Sequence, residues 1–199
     1  MTTITAPSQL DLNRQYSYAD YLTWEFGEWF EIIGGQCSVF SPPGKTPAHQ
    51  QVVGRIGMQV TQKWPDPAYE TWSLPLPLIL GYEEPEDSFN LVLPDLYVIR
   101  KESPNYLDER GWHGVPDWIV EVTDARTQEI DRLAKHRLYQ YFGIKEYWIV
   151  SPEKRQIDQF VLNPNGIYQP ITKQDRAGQL RVQTLPAPGL EMDRNEIFS

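Results

Sequence analysis

Residues 116–151 contain the pattern that most restricts the fold of this chain, since they predict two strands joined by a long helix. The first strand is PDWIVEVT, the helix is TQEIDRLAKHRLYQYFG with Gly143 in position to close it, and the second strand is KEYWIVS. A strand, a helix and a strand joined by short turns form a β-α-β unit. Hairpin patterns lie on both sides of it, so the sequence predicts an α/β domain: a mixed β-sheet flanked by helices, with β-hairpin additions.

Shorter elements are predicted around this unit. Gly34 and Gly35 indicate a hairpin turn in WFEIIGGQCSVF, and AHQQVVGRIGMQVTQKW has the apolar spacing of a helix. FNLVLPDLYVIRK predicts one strand and ESPNYLDERGWHG a loop, while RQIDQFVL and GIYQPI predict two closing strands. We expect residues 1–15 to be a flexible arm and residues 16–199 to be a single domain. An apolar stripe is expected on the long helix, formed by Ile130, Leu133, Ala134, Leu138 and Tyr141.

The composition limits the partners of the chain. Its 199 residues carry a formal net charge of −9, which disfavours a protein that coats nucleic acid without sequence preference, because such binding needs a surplus of Lys and Arg. A nuclease stays open, since carboxylates that hold a cation add negative charge. Cys37 is the single cysteine, which excludes an intramolecular disulfide and favours a reducing, cytoplasmic setting. The sequence predicts no membrane span, so no membrane partner is expected.

Glu121 lies inside the most apolar predicted strand, where an ionised carboxylate is costly unless something pairs with it. Asp95 begins the strand-like PDLYVI, and Lys135 lies on the helix after Glu121, which must pack back across the sheet. Two converging carboxylates are the hard oxygen ligands that Mg²⁺ takes, and a nearby ammonium can stabilise charge on a phosphoryl group. Asp95, Glu121 and Lys135 together therefore suit metal-assisted hydrolysis of a phosphodiester.

Simpler interpretations compete with these roles. Asp131 and Lys135 are four residues apart, which is the spacing of a common surface ion pair on a helix. Asp95 follows a proline, as turn residues often do. Glu121 is the exception, because a glutamate in so apolar a run seldom lacks a function or a firm partner. For Glu121 a functional role and a structural ion pair are both open.

These residues give the chain a resemblance to the Uma-two family of predicted bacterial endonucleases, a branch of the restriction-endonuclease-like superfamily with its PD-(D/E)XK pattern. LVLPDLYVI supplies Asp95 of the PD element, and PDWIVEV supplies the acidic Glu121. The stretch from EIDRLAK through EYWIVSP to RQIDQFVL is similar to the family's helix, Gly turn, strand and hairpin. The resemblance extends over about residues 16–199. One departure is Thr123, which stands where the plain pattern has its lysine, so the resemblance points to Lys135 instead.

The resemblance implies a restriction-endonuclease-like fold and a Mg²⁺-dependent endonuclease, with Mn²⁺ as an alternative ion and DNA as the expected substrate. Asp95 and Glu121 would bind the metal, and Lys135 would complete the catalytic set. Glu31 and Asp131 are second-tier candidates, although Glu31 fits a solvent-facing strand carboxylate equally well. Cutting of both DNA strands would favour a homodimer, by analogy with other nucleases.

Residues 126–155 contain seven Lys or Arg against four Asp or Glu. This local excess makes Arg126, Arg132 and Arg137 the candidates for contacts with a phosphate backbone. His49 also matches a family position, although a histidine at a helix start more often packs or caps. Two other functions stay open. One is a catalytically silent nuclease fold used for binding or assembly, which the net charge favours, and the other is a metal-dependent hydrolase of a small phosphodiester.

Overall fold

The computed structural model describes residues 3–27, 29–40, 46–74, 76–81, 88–102, 106–125, 127–171, 178–186 and 189–199. Their contacts divide the chain into two compact units. The first unit consists of Met1–Gly44, Pro75–Leu93 and Pro104–Val115, and the second of Lys45–Leu74, Pro94–Ser103 and Pro116–Ser199. The flexible arm and the single domain expected from the sequence stay predictions. Within the described ranges, no helix has both the length and the apolar character that crossing a bilayer requires.

The secondary structure follows the chain in short strands and a few helices. The described strands are β1 (Trp29–Ile33), β2 (Gln36–Phe40), β3 (Tyr69–Ser73), β4 (Leu78–Ile79), β5 (Leu91–Val92), β6 (Leu96–Arg100), β7 (Tyr106–Leu107), β8 (Trp112–His113), β9 (Trp118–Val122), β10 (Glu146–Ser151), β11 (Gln156–Leu162), β12 (Tyr168–Pro170), β13 (Gln179–Val182) and β14 (Leu190–Asp193). The helices are α1 (Tyr18–Leu22), α2 (Pro47–Lys63), α3 (Gln128–Ile130), α4 (His136–Tyr141) and α5 (Arg194–Ile197), with a 3₁₀ turn at Pro7–Gln9 and a π-helical turn at Asp131–Lys135. We call the continuous run of α3, the π turn and α4 the long helix.

The first unit is built on a sheet whose described strands lie in the order β2-β1-β5-β4-β8-β7. Gly34 and Gly35 join β1 to β2, as predicted, with φ angles of 58° and 79°. Positive φ at both positions is what a two-residue hairpin turn needs. The core of this unit is rich in aromatic rings and includes Tyr16, Tyr18, Trp24 and Phe30.

The second unit contains a mixed sheet whose described strands lie in the order β12-β11-β10-β9-β6-β3. β9 and β10 are parallel, and the other neighbours in this order are antiparallel. The long helix connects β9 to β10 and Gly143 follows it with φ of 73°, so the predicted β-α-β unit is confirmed. α2 packs on one face of the sheet, where Val52 and Ile56 share a core with Val120 and Trp148.

A C-terminal hairpin of β13 and β14 completes the second unit. It is fastened to α2 by the Gln59 side chain, whose amide donates to the carbonyl of Asp193 at 3.1 Å and accepts from the N–H of Asp193 at 2.8 Å. Since Gln59 is 4% exposed, these two bonds satisfy a buried amide as well as the strand end.

Two predicted elements differ from the structure. FNLVLPDLYVIRK was expected to be one strand, but it forms β5 in the first unit and β6 in the second. The break includes Pro94, which has no N–H to donate to a strand neighbour. ESPNYLDERGWHG was expected to be a loop, but it contains β7 and β8. Strands of two residues are too short for alternation of apolar residues to reveal them.

Candidate active site

Glu121 is the fourth residue of β9, whose five residues are all buried. Alternation along the strand places it on the face opposite Val120 and Val122, which pack in the core that α2 covers. The long helix lies against the Glu121 face, because Lys135 and Tyr139 both reach its carboxylate. Glu121 is only 3% exposed, so protein groups or a bound ion must satisfy its charge.

Two donors from the long helix converge on one oxygen of Glu121. Lys135 Nζ lies 2.9 Å from Glu121 Oε1, and Tyr139 Oη donates to the same oxygen at 2.8 Å. Lys135 Nζ also lies 3.7 Å from Asp131 Oδ1. We call Glu121, Asp131, Lys135 and Tyr139 the Glu121 cluster. The contact between Lys135 and Glu121 that the sequence spacing allowed is present, and its catalytic role stays a prediction.

The interpretation of Asp131 and Lys135 as a surface ion pair is wrong, because both side chains are buried. The helix face that carries them turns towards the sheet, where Lys135 neutralises charge on Glu121. Asp131 is held from its main chain as well, since Tyr147 Oη donates to its carbonyl at 3.1 Å. Burial, together with the nearby Asp131 and Glu121 carboxylates, raises the pKa of Tyr147 well above its usual value, so this hydroxyl stays protonated and remains a donor.

The expected apolar stripe on the long helix is also wrong in part. Ile130, Leu133 and Tyr141 are 39%, 51% and 77% exposed. The inward face is set by the partners that the sheet offers. Lys135 forms an ion pair with Glu121 on the strand. The Tyr139 ring packs edge-on against Tyr147 of β10, with ring centroids 5.0 Å apart. Apolar periodicity alone therefore selects three exposed residues of this helix together with Leu138, which is buried.

The π-helical turn lies where the inward residues are charged. In an α-helix, a step of four residues rotates by about 40° more than a full turn, so residues eight apart would lie about 80° apart around the axis. A π turn is wider, which takes up part of this drift. Asp131, Lys135 and Tyr139 are spaced by four and all are buried. The turn thus helps to keep three polar side chains on one line facing β9.

Asp95 precedes β6, which is the neighbour of β9. Its Oδ2 accepts from the backbone N–H of Val122 at 2.8 Å and lies 3.1 Å from His49 Nε2. Val122 directly follows Glu121, and the antiparallel register of β6 and β9, continued by one residue, sets Asp95 opposite Glu121. Both Asp95 and His49 are buried, so His49, near the start of α2, does more than pack or cap a helix end.

Glu31 lies on β1 in the first unit and is 3% exposed, so its interpretation as a solvent-facing carboxylate is wrong. Its Oε1 accepts from the backbone N–H of Leu93 at 2.9 Å. A buried carboxylate that satisfies a main-chain donor contributes to the structure of its own unit. Its second-tier metal role stays a prediction.

The three arginines expected to contact nucleic acid differ in their surroundings. Arg126 lies outside the described residues. Arg132 forms an ion pair with Asp158 on β11. The Arg137 side chain is exposed on α4. Their contacts with a phosphate backbone stay a prediction, and exposure makes Arg137 the better placed of the two that are described.

The donor set fits a hard divalent cation. Among the described residues, Asp95, Glu121 and Asp131 are buried carboxylates with Lys135 as a buried ammonium, so negative charge is in excess even when His49 carries a proton. Mg²⁺ keeps several waters and needs only one or two protein carboxylates. No group of three or more His, Cys, Asp or Glu side chains within the described ranges forms a ready metal cage. Asp95 and Glu121 are therefore the two carboxylates available to such an ion, and their role as its ligands stays a prediction.

The mixed sheet, the β-α-β unit and the buried acid-lysine cluster place the chain in the class of restriction-endonuclease-like proteins. Residues 18–195 match the model of the Uma2 family, whose description is "Putative restriction endonuclease", and the chain therefore belongs to that family. A solved structure described as "a putative nuclease belonging to DUF820 from Anabaena variabilis ATCC 29413" is similar, with a TM-score of 0.60 and 16% identity. The likeness covers 92% of this chain and 97% of that one, and it concerns the fold. No curated protein matches the chain.

Sequence reasoning missed Tyr139 as a site residue. Asp131, Lys135 and Tyr139 follow one another at intervals of four, which places them on one helix face. That spacing was the sequence signal for an inward face. The apolar residues elsewhere on the helix predicted a different inward face. Only the packing of the helix on β9 shows which face turns inward.

Proposed function

We propose that the chain is a Mg²⁺-dependent endonuclease that hydrolyses phosphodiester bonds in DNA. Membership of the restriction-endonuclease family and the likeness to a nuclease fold support a nuclease. The observation that carries the proposal is the 2.9 Å contact between Lys135 Nζ and Glu121 Oε1. Val122, the next residue of the strand, donates its N–H to the Asp95 carboxylate. The buried carboxylates of Asp95 and Asp131 add negative charge to the same region, which favours a cation beside the ion pair of Lys135 and Glu121.

Each residue has a role that follows from its position. Asp95 and Glu121 would hold the cation, which when bound polarises a phosphoryl oxygen and lowers the pKa of a bound water. The Lys135 ammonium would lie beside this site and stabilise negative charge that develops on the phosphoryl group. Asp131 would hold Lys135 in place from the preceding turn of the long helix. His49 would keep Asp95 oriented, since its ring nitrogen lies 3.1 Å from the carboxylate.

A plasmid-cleavage assay tests the proposal. The parent protein should convert supercoiled plasmid to nicked or linear DNA with Mg²⁺ or Mn²⁺, and EDTA should stop the reaction. Asp95→Asn and Glu121→Gln should each lower the rate by about 100-fold or more, since each removes a charged ligand. Glu129→Gln is the matched control, because Glu129 lies exposed on the same long helix and makes no contact with the site among the described residues.

A catalytically silent nuclease fold is the second candidate. The net charge of −9 and the incomplete metal cage in the described part of the chain favour it. It predicts that the parent cleaves no DNA with Mg²⁺ or Mn²⁺. It also predicts that Glu121→Gln and Glu129→Gln bind these metals with the same affinity. Cleavage of a small phosphodiester but not of plasmid would instead favour the small-substrate hydrolase, and a faster reaction on RNA would change the assigned substrate.

Two further parts of the proposal concern the setting. Double-strand cleavage would be served by a homodimer that offers one site to each strand, by analogy with two-fold nucleases. Sedimentation of the parent protein with and without DNA measures this directly. The single Cys37 supports a cytoplasmic setting, where thiols stay reduced.

A further inference from the structure

The hydroxyl of Tyr139 is a polar group that the nuclease pattern did not include. Tyr139 is 0% exposed, and its Oη donates to Glu121 Oε1 at 2.8 Å. A buried tyrosine needs a partner for its hydroxyl, and a carboxylate is a strong one because the hydrogen bond is charge-assisted. The sequence could have met the packing requirement with phenylalanine, since the ring already packs against Tyr147.

The two helix donors act on the same oxygen of Glu121 and from neighbouring turns. Lys135 is four residues before Tyr139, so the two side chains leave one face of the long helix in sequence. With Oε1 held by both, and the strand fixing the other end of the side chain, rotation of the Glu121 carboxylate is restricted. The direction of Oε2, which takes neither of these two bonds, is then set by the helix.

We propose that Tyr139 is a positioning residue that orients the Glu121 carboxylate for a divalent cation. This inference rests on the proposed function, because it assumes that Glu121 is a metal ligand. Tyr139 would not touch the substrate or the cation. Its hydroxyl would act through Glu121, in the way that groups behind a metal ligand fix its orientation and tune affinity for the ion.

Tyr139→Phe isolates this role, because it removes one oxygen and keeps the buried ring. Tyr168→Phe is the matched control. Tyr168 is also buried, belongs to the same unit, and donates its Oη to the carbonyl of Ile144 at 2.9 Å rather than to a carboxylate. Each variant loses one buried hydroxyl hydrogen bond, so both should lose thermal stability to a comparable degree.

The experiment is calorimetric titration of the metal-free proteins with Mn²⁺ alone, accompanied by thermal melting. Tyr139→Phe should bind Mn²⁺ about 10-fold more weakly than the parent, while Tyr168→Phe should stay within about twofold. A merely structural hydroxyl would lower the melting temperature of both variants and leave Mn²⁺ affinity alike in both, which overturns the inference.

Glu121→Gln separates this failure from a failure of the proposed function. If the parent binds Mn²⁺, Glu121→Gln does not, and Tyr139→Phe binds as the parent does, the metal site stands and the role of Tyr139 is wrong. If the parent and Glu121→Gln bind Mn²⁺ equally, or neither binds, the metal role of Glu121 is wrong and the inference falls with it. Weaker Mn²⁺ binding in Tyr139→Phe but not in Tyr168→Phe supports both the metal role of Glu121 and the positioning role of Tyr139.

Discussion

Two buried glutamates on neighbouring parallel strands have opposite surroundings. Glu121 on β9 and Glu146 on β10 are 3% and 0% exposed. Glu121 meets an ammonium and a hydroxyl from the long helix. Glu146 instead accepts from four neutral donors: Trp148 Nε1 at 2.6 Å, Gln183 N–H at 2.7 Å, and the N–H and hydroxyl of Thr184 at 3.0 Å and 3.1 Å.

The difference shows that burial of a carboxylate does not by itself mark a site. Four hydrogen bonds make the Glu146 carboxyl group an anchor that ties β10 to the segment after β13. Around Glu121 the charges do not balance. Asp95 and Asp131 add two buried carboxylates, and Lys135 is the single buried ammonium among the described residues. We propose that the region with the excess of buried charge binds the cation, while the neutral donors around Glu146 stabilise the fold.

The largest expected effect is on stability, at the ammonium of the Glu121 region. Lys135→Met should destabilise the metal-free protein by about 3–5 kcal/mol, because buried carboxylates then lack their cation. Saturating Mn²⁺ should recover a large part of this loss, since the ion would supply positive charge to the same buried carboxylates. Urea denaturation of the variant with EDTA and with Mn²⁺ measures both values.

Lys101→Met provides the control for this substitution. Lys101 forms an ion pair with Glu70 in which both side chains are partly exposed, at 47% and 34%, so its loss should cost no more than about 1 kcal/mol. An equal loss in Lys135→Met with and without Mn²⁺ would mean that Lys135 stabilises the fold without any link to a metal site.

The next effect is a pH dependence in the anchor region. Burial raises the pKa of Glu146 from 4.5 to about 7, against hydrogen bonds from Trp148, Thr184 and Gln183 that lower it. The folded protein therefore holds a proton there that the unfolded chain releases. The stability that this proton provides is fully present below about pH 4.5 and is lost as the pH rises through about 7.

Glu146→Gln tests this dependence because glutamine does not titrate. The unfolding free energy of the parent minus that of the variant should fall by about 2–3 kcal/mol from pH 5 to pH 8, at about 1.4 kcal/mol per pKa unit. The parent therefore loses stability relative to the variant as the pH rises. Glu129→Gln, at an exposed position, should show no such trend. A difference that stays constant between pH 5 and pH 8 would show that the four donors hold Glu146 ionised throughout.

The same comparison explains how far the sequence could predict the structure. The β-α-β unit was predictable because its strands are long and apolar and Gly143 ends its helix with a positive φ. The inward face of that helix was not, because apolar periodicity ignores the charge of a strand partner. Glu146 lies in the EYW stretch that the resemblance used, yet its four donors come largely from residues 37 and 38 positions away. Such partners become visible only in the fold.

The site was predicted unevenly for a related reason. Asp95, Glu121 and Lys135 belong to short local patterns, and the sequence named them. His49 and Tyr139 contact Asp95 and Glu121 in the fold, but the family position of His49 and the helical spacing of Tyr139 did not identify these contacts from the sequence. The break of the expected PD strand at Pro94 also needed tertiary information, since it separates strands that belong to two units.

The smallest expected effect concerns the basic surface of the long helix. Arg137→Ala should weaken DNA binding a few-fold and reduce the slope of affinity against salt by about 1, as loss of one phosphate contact does. Arg132→Ala should change the slope less, because Arg132 is engaged by Asp158. Fluorescence anisotropy over a range of salt concentrations, in Ca²⁺ to suppress cleavage, measures both slopes. Equal slopes for parent and Arg137→Ala would place the DNA on another surface.

Metal binding by the two glutamate variants tests most directly whether the Glu121 region is the site and the Glu146 region the anchor. Calorimetric titration with Mn²⁺ at neutral pH would compare the parent, Glu121→Gln and Glu146→Gln, each shown by circular dichroism to be folded. The parent and Glu146→Gln should bind Mn²⁺ with Kd values within about threefold, while Glu121→Gln should bind at least about 10-fold more weakly. Unchanged binding in Glu121→Gln, or a loss confined to Glu146→Gln, would contradict the assignment of the two regions.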